Sequence, residues 1–350
     1  MKKILLLVAF ISTLILTSCS GDGESGSKVT SITLTSNSTE AYVNDPLTFI
    51  VKDNNNQVIT SESKIYVNGT LISGDTFTPT STGNLTVYAT FNEGSDVITS
   101  ETLNFTSNNS INFNKRLLIE DFTGTWCQYC PRVAYAIDQV NAQTTDATIV
   151  AIHRNGSGAS DPYNFSGASA LESQIGLAGY PTAMLNRKTE WTYPETSTGS
   201  INQALALTTG INPKLGIAMT TTTTGSTSNI QVKVKFGKNF SNLKLVVYAL
   251  EDNLIYNQTN STTYYGGGNP LVGFEHDHVV RAVLTSSILG EAITGNTNYN
   301  DEFSKSFTYT IPSTVNASNV HFVAVVLNSS NTALNSRSAG ANATQSFEVE

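Results

Sequence analysis

Charge is scarce in this chain: Asp, Glu, Lys and Arg together make up 13% of its 350 residues. What charge there is runs acidic, with 27 carboxylates against 19 basic side chains and a formal net charge of −8. Such a surface repels phosphate backbones, which excludes nucleic acid as an expected partner. A long apolar run is also missing. The most apolar stretch, residues 4–16, falls short of the about 20 residues that a membrane-spanning helix needs. Cysteine occurs three times, and no second Cys-x-x-Cys exists to complete a four-cysteine zinc site. Asn, Ser and Thr are abundant instead, a composition that favours β-structure with polar outer faces and many turns. The length exceeds what one hydrophobic core organises, so two or three domains are expected.

The first residues, MKKILLLVAFISTLILTSC, have two lysines, an apolar run and a Leu-x-Ser-Cys ending. That is the tripartite design of a secretory leader over residues 1–18. Its ending resembles the lipobox of bacterial lipoproteins, which implies that Cys19 becomes the first mature residue and carries acyl chains. Several chains on one cysteine hold a soluble protein durably at a membrane, because each buried methylene adds about 0.8 kcal/mol. Residues 20–27, SGDGESGS, are small and acidic and read with Cys19 as a flexible tether. With Cys19 consumed by lipid, Cys127 and Cys130 remain as an even pair in a compartment where disulfides form.

From 28 to 107, short alternating runs such as LTFIVKD and GNLTVYATF are separated by turn residues. They predict an antiparallel β-sandwich that resembles bacterial immunoglobulin-like modules. Residues 109–210 follow a different pattern. RLLIEDFTG reads as a strand running into a helix on which Val133, Ile137 and Val140 share a face, and ATIVAIHRN reads as a buried strand. A helix, a two-strand hairpin and a closing helix follow, so the order β-α-β-α-β-β-α predicts a mixed sheet with one parallel crossover. Alternation of period two returns over 213–350 and predicts a second, larger β-sandwich. Within it, TTYYGGGNPLVGF is a long glycine-rich connection of the kind that forms functional loops.

The chemistry centres on TGTWCQYCPR, residues 123–132. A thiol is nucleophilic as the thiolate, and a helix N-terminus lowers its pKa through unpaired amides and the helix dipole. The expected strand-to-helix junction puts Cys127 at that position and Cys130 three residues on, a spacing that permits a ring able to open and close reversibly. Pro131 is tolerated in a first helical turn, where its missing N–H costs little. The segment is similar to thioredoxin-like oxidoreductases over about 100 residues, carried by Asp121, Phe122, Trp126, Cys127 and Cys130. That resemblance implies an acid at Asp121, buried beneath the pair, which assists proton transfer at the second cysteine. It also implies a cis peptide bond before Pro181 in GYPTAM, with Tyr180, Pro181 and Thr182 joining Trp126 in a surface that docks an extended substrate segment. Across the whole chain, the leader, TGTWCQYCP, GFEHDHVVRA and the terminal β-region together resemble the Omp28-related outer-membrane lipoproteins.

The expected fold class is therefore a multidomain α+β chain: an N-terminal immunoglobulin-like β-sandwich, a central thioredoxin-like α/β domain and a C-terminal β-sandwich. The expected function is thiol:disulfide exchange on protein thiols or disulfides of the envelope. Cys127 forms the mixed disulfide, Cys130 resolves it and Asp121 handles protons, at an outer membrane reached through lipid on Cys19. No cofactor and no metal are expected. The rival is a non-enzymatic adhesion or binding lipoprotein in which Cys127 and Cys130 make a structural disulfide. His276 and His278 are candidates to grip a metal from one strand face, with Glu251 and Asp252 as possible additional ligands, but a hydrogen-bonded strand face is the preferred reading. His153 reads as structural, and Trp191, Tyr264 and Tyr265 as hairpin packing and an ordinary loop.

Overall fold

A computed structural model of the chain describes residues 28–350. The expected leader, Cys19 with its expected lipid, and the tether at 20–27 lie outside the described residues. The chain divides into two compact units, Met1–Asn108 and Asn109–Glu350.

Alternation builds the first unit. Its strands are β1 (Ile32–Ser36), β2 (Ala41–Tyr42), β3 (Leu47–Asp53), β4 (Lys64–Val67), β5 (Thr70–Leu71), β6 (Thr76–Phe77), β7 (Gly83–Glu93), β8 (Asp96–Thr99) and β9 (Leu103–Asn108). Along β3, Leu47, Phe49 and Val51 turn inward and the residues between them outward, as a strand with one face on a core requires. β1, β3 and β6 make one sheet; β2, β9, β7, β4 and β5 make a second, with β8 beside β7. Phe49 and Val51 of the first sheet share a core with Val67, Val87 and Phe105 of the second. The β4–β5 hairpin turns on Asn68 and Gly69, both at positive φ, the combination that a two-residue turn between twisted strands selects.

The second unit begins with β10 (Leu117–Thr123), α1 (Cys130–Asn141), β11 (Ala147–His153), α2 (Ser169–Ile175), β12 (Thr182–Leu185), β13 (Thr189–Glu190) and α3 (Thr198–Leu205). It continues through β14 (Leu215–Thr224), β15 (Thr227–Phe236), β16 (Lys244–Glu251), β17 (Leu254–Gln258), β18 (Leu271–His276) and β19 (Val279–Val283). β20 (Glu291–Ala292), β21 (Glu302–Thr310), β22 (Val320–Leu327), β23 (Ala333–Gly340) and β24 (Ala343–Thr344) complete it. Nine strands form one sheet in the order β13-β12-β10-β11-β19-β16-β22-β23, with β20 beside β16. β21, β15, β14 and β24 form a smaller sheet, and β17 pairs with β18.

This arrangement overturns the expected fold class. Among the described residues the protein is mostly β, with 24 strands against three α-helices, and residues 109–210 do not close into a central thioredoxin-like α/β domain. β11 pairs in parallel with β19, Ala151 opposite Val279, so the sheet begun by β10 runs on into β16, β22 and β23. Leu118, Phe122, Val150 and Ile152 accordingly share one core with Val246, Tyr248, Leu250 and Val323. The cause is visible in β11: a strand buried along nearly all its length needs partners on both edges, and its second partner comes from far downstream. The expected C-terminal sandwich borrows this long sheet as one of its layers. Ile217, Val232 and Val234 of the smaller sheet pack on Leu245, Val247 and Phe322.

Period-two geometry gives β10 two chemically distinct faces. Leu117 and Ile119 pack against Val133, Ala136, Ile137 and Val140 of α1, and Asp121 follows them on that side. Glu120 points the other way, where Arg187 donates to it through Nε (3.0 Å) and Nη2 (2.5 Å) and Tyr248 donates through its hydroxyl (2.9 Å). Both side chains of the Arg187–Glu120 pair are wholly buried, which ties β10 and the β12–β13 turn to β16.

Candidate functional site at the cysteine pair

β10 ends at Thr123, and the chain makes a tight turn before α1 begins at Cys130. The amide of Cys127 donates to Gly124 O (2.9 Å) and that of Cys130 to Cys127 O (3.2 Å). Pro131 sits in the first helical turn, as expected there. Cys130 therefore opens the helix, three residues later than the expected start at Cys127, which lies in the preceding turn.

Cys127 and Cys130 are joined by a disulfide. Their exposures are 3% and 2%, which places both sulfurs under cover. The connection between β17 and β18 is laced to the turn that carries them. Gln258 donates from Nε2 to Cys127 O (2.9 Å) and Gly124 O (3.3 Å). The amides of Thr259 and Ser261 donate to Thr125 O and Gln128 O, both at 2.8 Å. Further along, Tyr264 stacks on Tyr135 of α1 with ring centroids 4.7 Å apart, and Tyr265 donates to Asp138 (2.6 Å). The ordinary loop expected at Tyr264 and Tyr265 is thus a strap fastened across the cysteine turn.

Beside Cys130, a cavity of about 530 Å³ is lined by Asp121, Cys130, His153, Gln258, Tyr265 and His276, among others. Asp121 is 4% exposed, and its Oδ1 has no hydrogen-bond partner. Burial pushes its carboxyl up to about 8, and the nearby Glu195 carboxylate adds to that rise. Glu195 in turn is held by Arg132 of α1. Across the cavity, burial and the neighbouring His153 push His276 down to about 4. His153 contacts Asp161 (3.1 Å), which also accepts from the amide of Thr125 (2.6 Å). Burial alone would raise Asp161, but His153 and the Thr125 and Tyr163 amides bring it below its ordinary range.

The expected docking residues fall into two groups. Trp126 and Tyr180 meet edge to face at 5.7 Å. Trp126 donates to Arg154 O (2.7 Å) and lies so close to Gly124 and Gly156 that a Cβ on either would collide with the indole. Tyr180 donates to Glu172 (2.8 Å), and burial together with that bond pushes its hydroxyl up to about 12. The Tyr180–Pro181 peptide is cis. Thr182 instead enters β12, opposite Phe122, and donates to Gly179 O (2.9 Å). Trp191, packed in the α1–α3 core, donates to Ser200 O (2.7 Å).

His276 and His278 do not share a face. The chain reverses at 277–278, His278 adopts φ 59°, and the two rings enter different clusters. His276 packs on His153, whereas His278 meets His321 and Asp252. Sequence reasoning missed Gln258 and His321 because each acts through a partner far away in the chain. The glycine-rich connection after Gln258 was the available signal for the strap.

The model of the family described as "Outer membrane protein Omp28" matches residues 168–345. That span contains the strap, Tyr180, Pro181 and Thr182, but not the cysteine pair. No curated protein matches the chain. Among solved structures, HBP35 of Porphyromonas gingivalis is similar at 19% identity and TM-score 0.49, covering 65% of this chain and 76% of that one. A domain of the outer membrane lipoprotein Omp28 from Porphyromonas gingivalis is similar at 18% identity and TM-score 0.25, covering 37% of this chain and 90% of that one. The three N-terminal domains of the bacteriophage RB49 Hoc capsid protein reach 8% identity and TM-score 0.21, covering 90% and 98%. These three likenesses are too loose to carry an argument about fold or activity.

Proposed function

The chain belongs to the Omp28 outer membrane protein family, which places it in the bacterial cell envelope at the outer membrane, and from that premise we propose that it exchanges disulfides with partner proteins there. The observation that carries this reading is Asp121. A buried carboxyl with one unpartnered oxygen is costly in a merely structural setting. Beside Cys130, in one cavity, it suits proton transfer to and from a sulfur. In the reducing direction of the pair, a partner thiolate attacks Cys127 Sγ and the Cys127–Cys130 bond breaks. Cys130 leaves as thiolate and takes the proton of Asp121. A second partner thiol, losing its proton to Asp121, then attacks the mixed disulfide, and Cys127 departs as thiolate and is protonated by solvent. The partner dithiol ends as a disulfide and the pair as two thiols; reversal runs the electrons the other way. Trp126, Tyr180 and Pro181 offer the partner's docking surface once the strap at 258–270 shifts, whereas Thr182 is built into β12. Lipid on Cys19 holds the assembly at the membrane.

The low exposure of both sulfurs favours a second reading, in which the disulfide staples the turn of a surface-binding lipoprotein. Turnover assays on a disulfide-bonded protein such as insulin separate the two. Exchange by the full chain that disappears in Cys127→Ala supports the first reading; equal background rates for both proteins support the second.

A further inference from the structure

β19, β16 and β22 are neighbours in the long sheet and bring one metal-binding type of side chain each to the same end of it. Asp252 directly follows β16, His278 directly precedes β19, and His321 is the second residue of β22. Antiparallel pairing makes them converge: Glu251 lies opposite Val279 on one side, and Leu250 opposite His321 on the other. One ligand atom from each of the three side chains lies within 4.8 Å of the other two. His278 Nδ1 is 3.3 Å from one carboxylate oxygen of Asp252, and His321 Nδ1 is 3.0 Å from the other.

We infer that Asp252, His278 and His321 form a binding site for a first-row divalent cation, with Zn²⁺ the best fit. Zinc bonds of about 2.0–2.1 Å at tetrahedral angles set ligand atoms roughly 3.3 Å apart. Each imidazole nitrogen stands near that distance from a different Asp252 oxygen, and one ligand atom of each residue lies within 4.8 Å of the others, so small side-chain rotations close the set on one ion. Two imidazoles and one carboxylate suit zinc and its neighbours, whereas calcium and magnesium select all-oxygen sites. His321 Nδ1 is buried, lies 3.0 Å from the Asp252 carboxylate and makes no hydrogen bond of regular geometry. A cation held between the three groups satisfies that atom.

The surrounding backbone holds the ligands in place. The amide of His278 donates to Asp252 Oδ1 (2.7 Å), and the amide of Asn253 donates back to Asp277 Oδ1 (2.8 Å), so the two turns lace each other together. The amide of Asp252 donates to Asn319 O (3.0 Å) beside β22. Supports of this kind orient metal ligands in known sites. An ion can enter, since the His278 and Asp252 side chains are 33% and 29% exposed. Three protein ligands leave one position open to water or to a donor from a bound molecule. His278 also lines the cavity that reaches Asp121 and Cys130.

The test is calorimetric titration of Zn²⁺ into the untagged full chain with the Cys127–Cys130 disulfide intact, which keeps both thiols out of the coordination. One ion per chain is expected, with affinity at least roughly tenfold weaker in each of His321→Ala and Asp252→Asn. His278→Asn keeps a residue that tolerates positive φ, and it is expected to weaken binding equally if the buried variants fail to fold. Absence of saturable one-to-one binding, or affinity unchanged in the folded variants, overturns the site.

Discussion

Asp121 combines full burial, an oxygen without a partner and a carboxyl raised to about 8. An unfolded aspartate titrates near 3.9, so the folded protein binds the extra proton throughout the interval between. Stability from this group is therefore complete below about pH 4, falls as pH rises and levels off above about 8. Glu195 adds to the rise and so carries the decline to higher pH, while Asp138, His153, Tyr265, Glu275, His276, Asp277 and His278 also face the cavity. In denaturant titrations, Asp121→Asn should lose this decline. It should gain on the natural protein progressively from pH 4 to 8, by on the order of a few kcal/mol at the upper end. Parallel pH profiles for the two proteins would place the ionisation elsewhere. Asp121, Trp126, Cys127 and Cys130 could be picked out from sequence because they lie within ten residues on one strand-to-helix junction, where spacing translates directly into geometry.

At the scale of elements, the strap between β17 and β18 is fastened to the turn that carries the sulfurs. Its hold on the cysteine turn combines Gln258 side-chain bonds with two backbone bonds from Thr259 and Ser261. A net hydrogen bond contributes about 1 kcal/mol, so losing the two from Gln258 raises the open population on the order of tenfold or more. Gln258→Ala should accordingly speed reduction of the Cys127–Cys130 disulfide by a small dithiol to that extent, read by trapping the released thiols. An unchanged rate would mean that the sulfurs are reached by another route. The glycine-rich connection marked this loop as a functional candidate, but nothing local said that it folds over α1. That contact depends on Tyr135 meeting Tyr264 and on Tyr265 reaching Asp138, pairings that join residues more than a hundred positions apart.

At the scale of the whole molecule, the second unit is organised by an edge that the sequence does not advertise. The helices and strands of 109–210 read as self-sufficient because their periodicities are local, whereas the β11–β19 pairing that fuses them to the C-terminal strands is a long-range choice. The buried Arg187–Glu120–Tyr248 cluster belongs to the same seam. RLLIEDF disclosed a buried strand, but no pattern within it identified Glu120 as the partner of a distant arginine. The convergence of Asp252, His278 and His321 was only half readable for that reason: His278 and Asp252 stood out by type, and His321 joined them only once β22 was seen beside β16.

The claim that the cysteine pair exchanges rather than staples is tested most directly by its reduction potential. The full chain is equilibrated in thiol buffers of graded potential, trapped by alkylation, and the state of Cys127 and Cys130 read by mass spectrometry. A reversible two-electron transition with a midpoint above about −300 mV is predicted, because structural disulfides lie below that range. A pair that stays oxidised well beyond it would contradict the account.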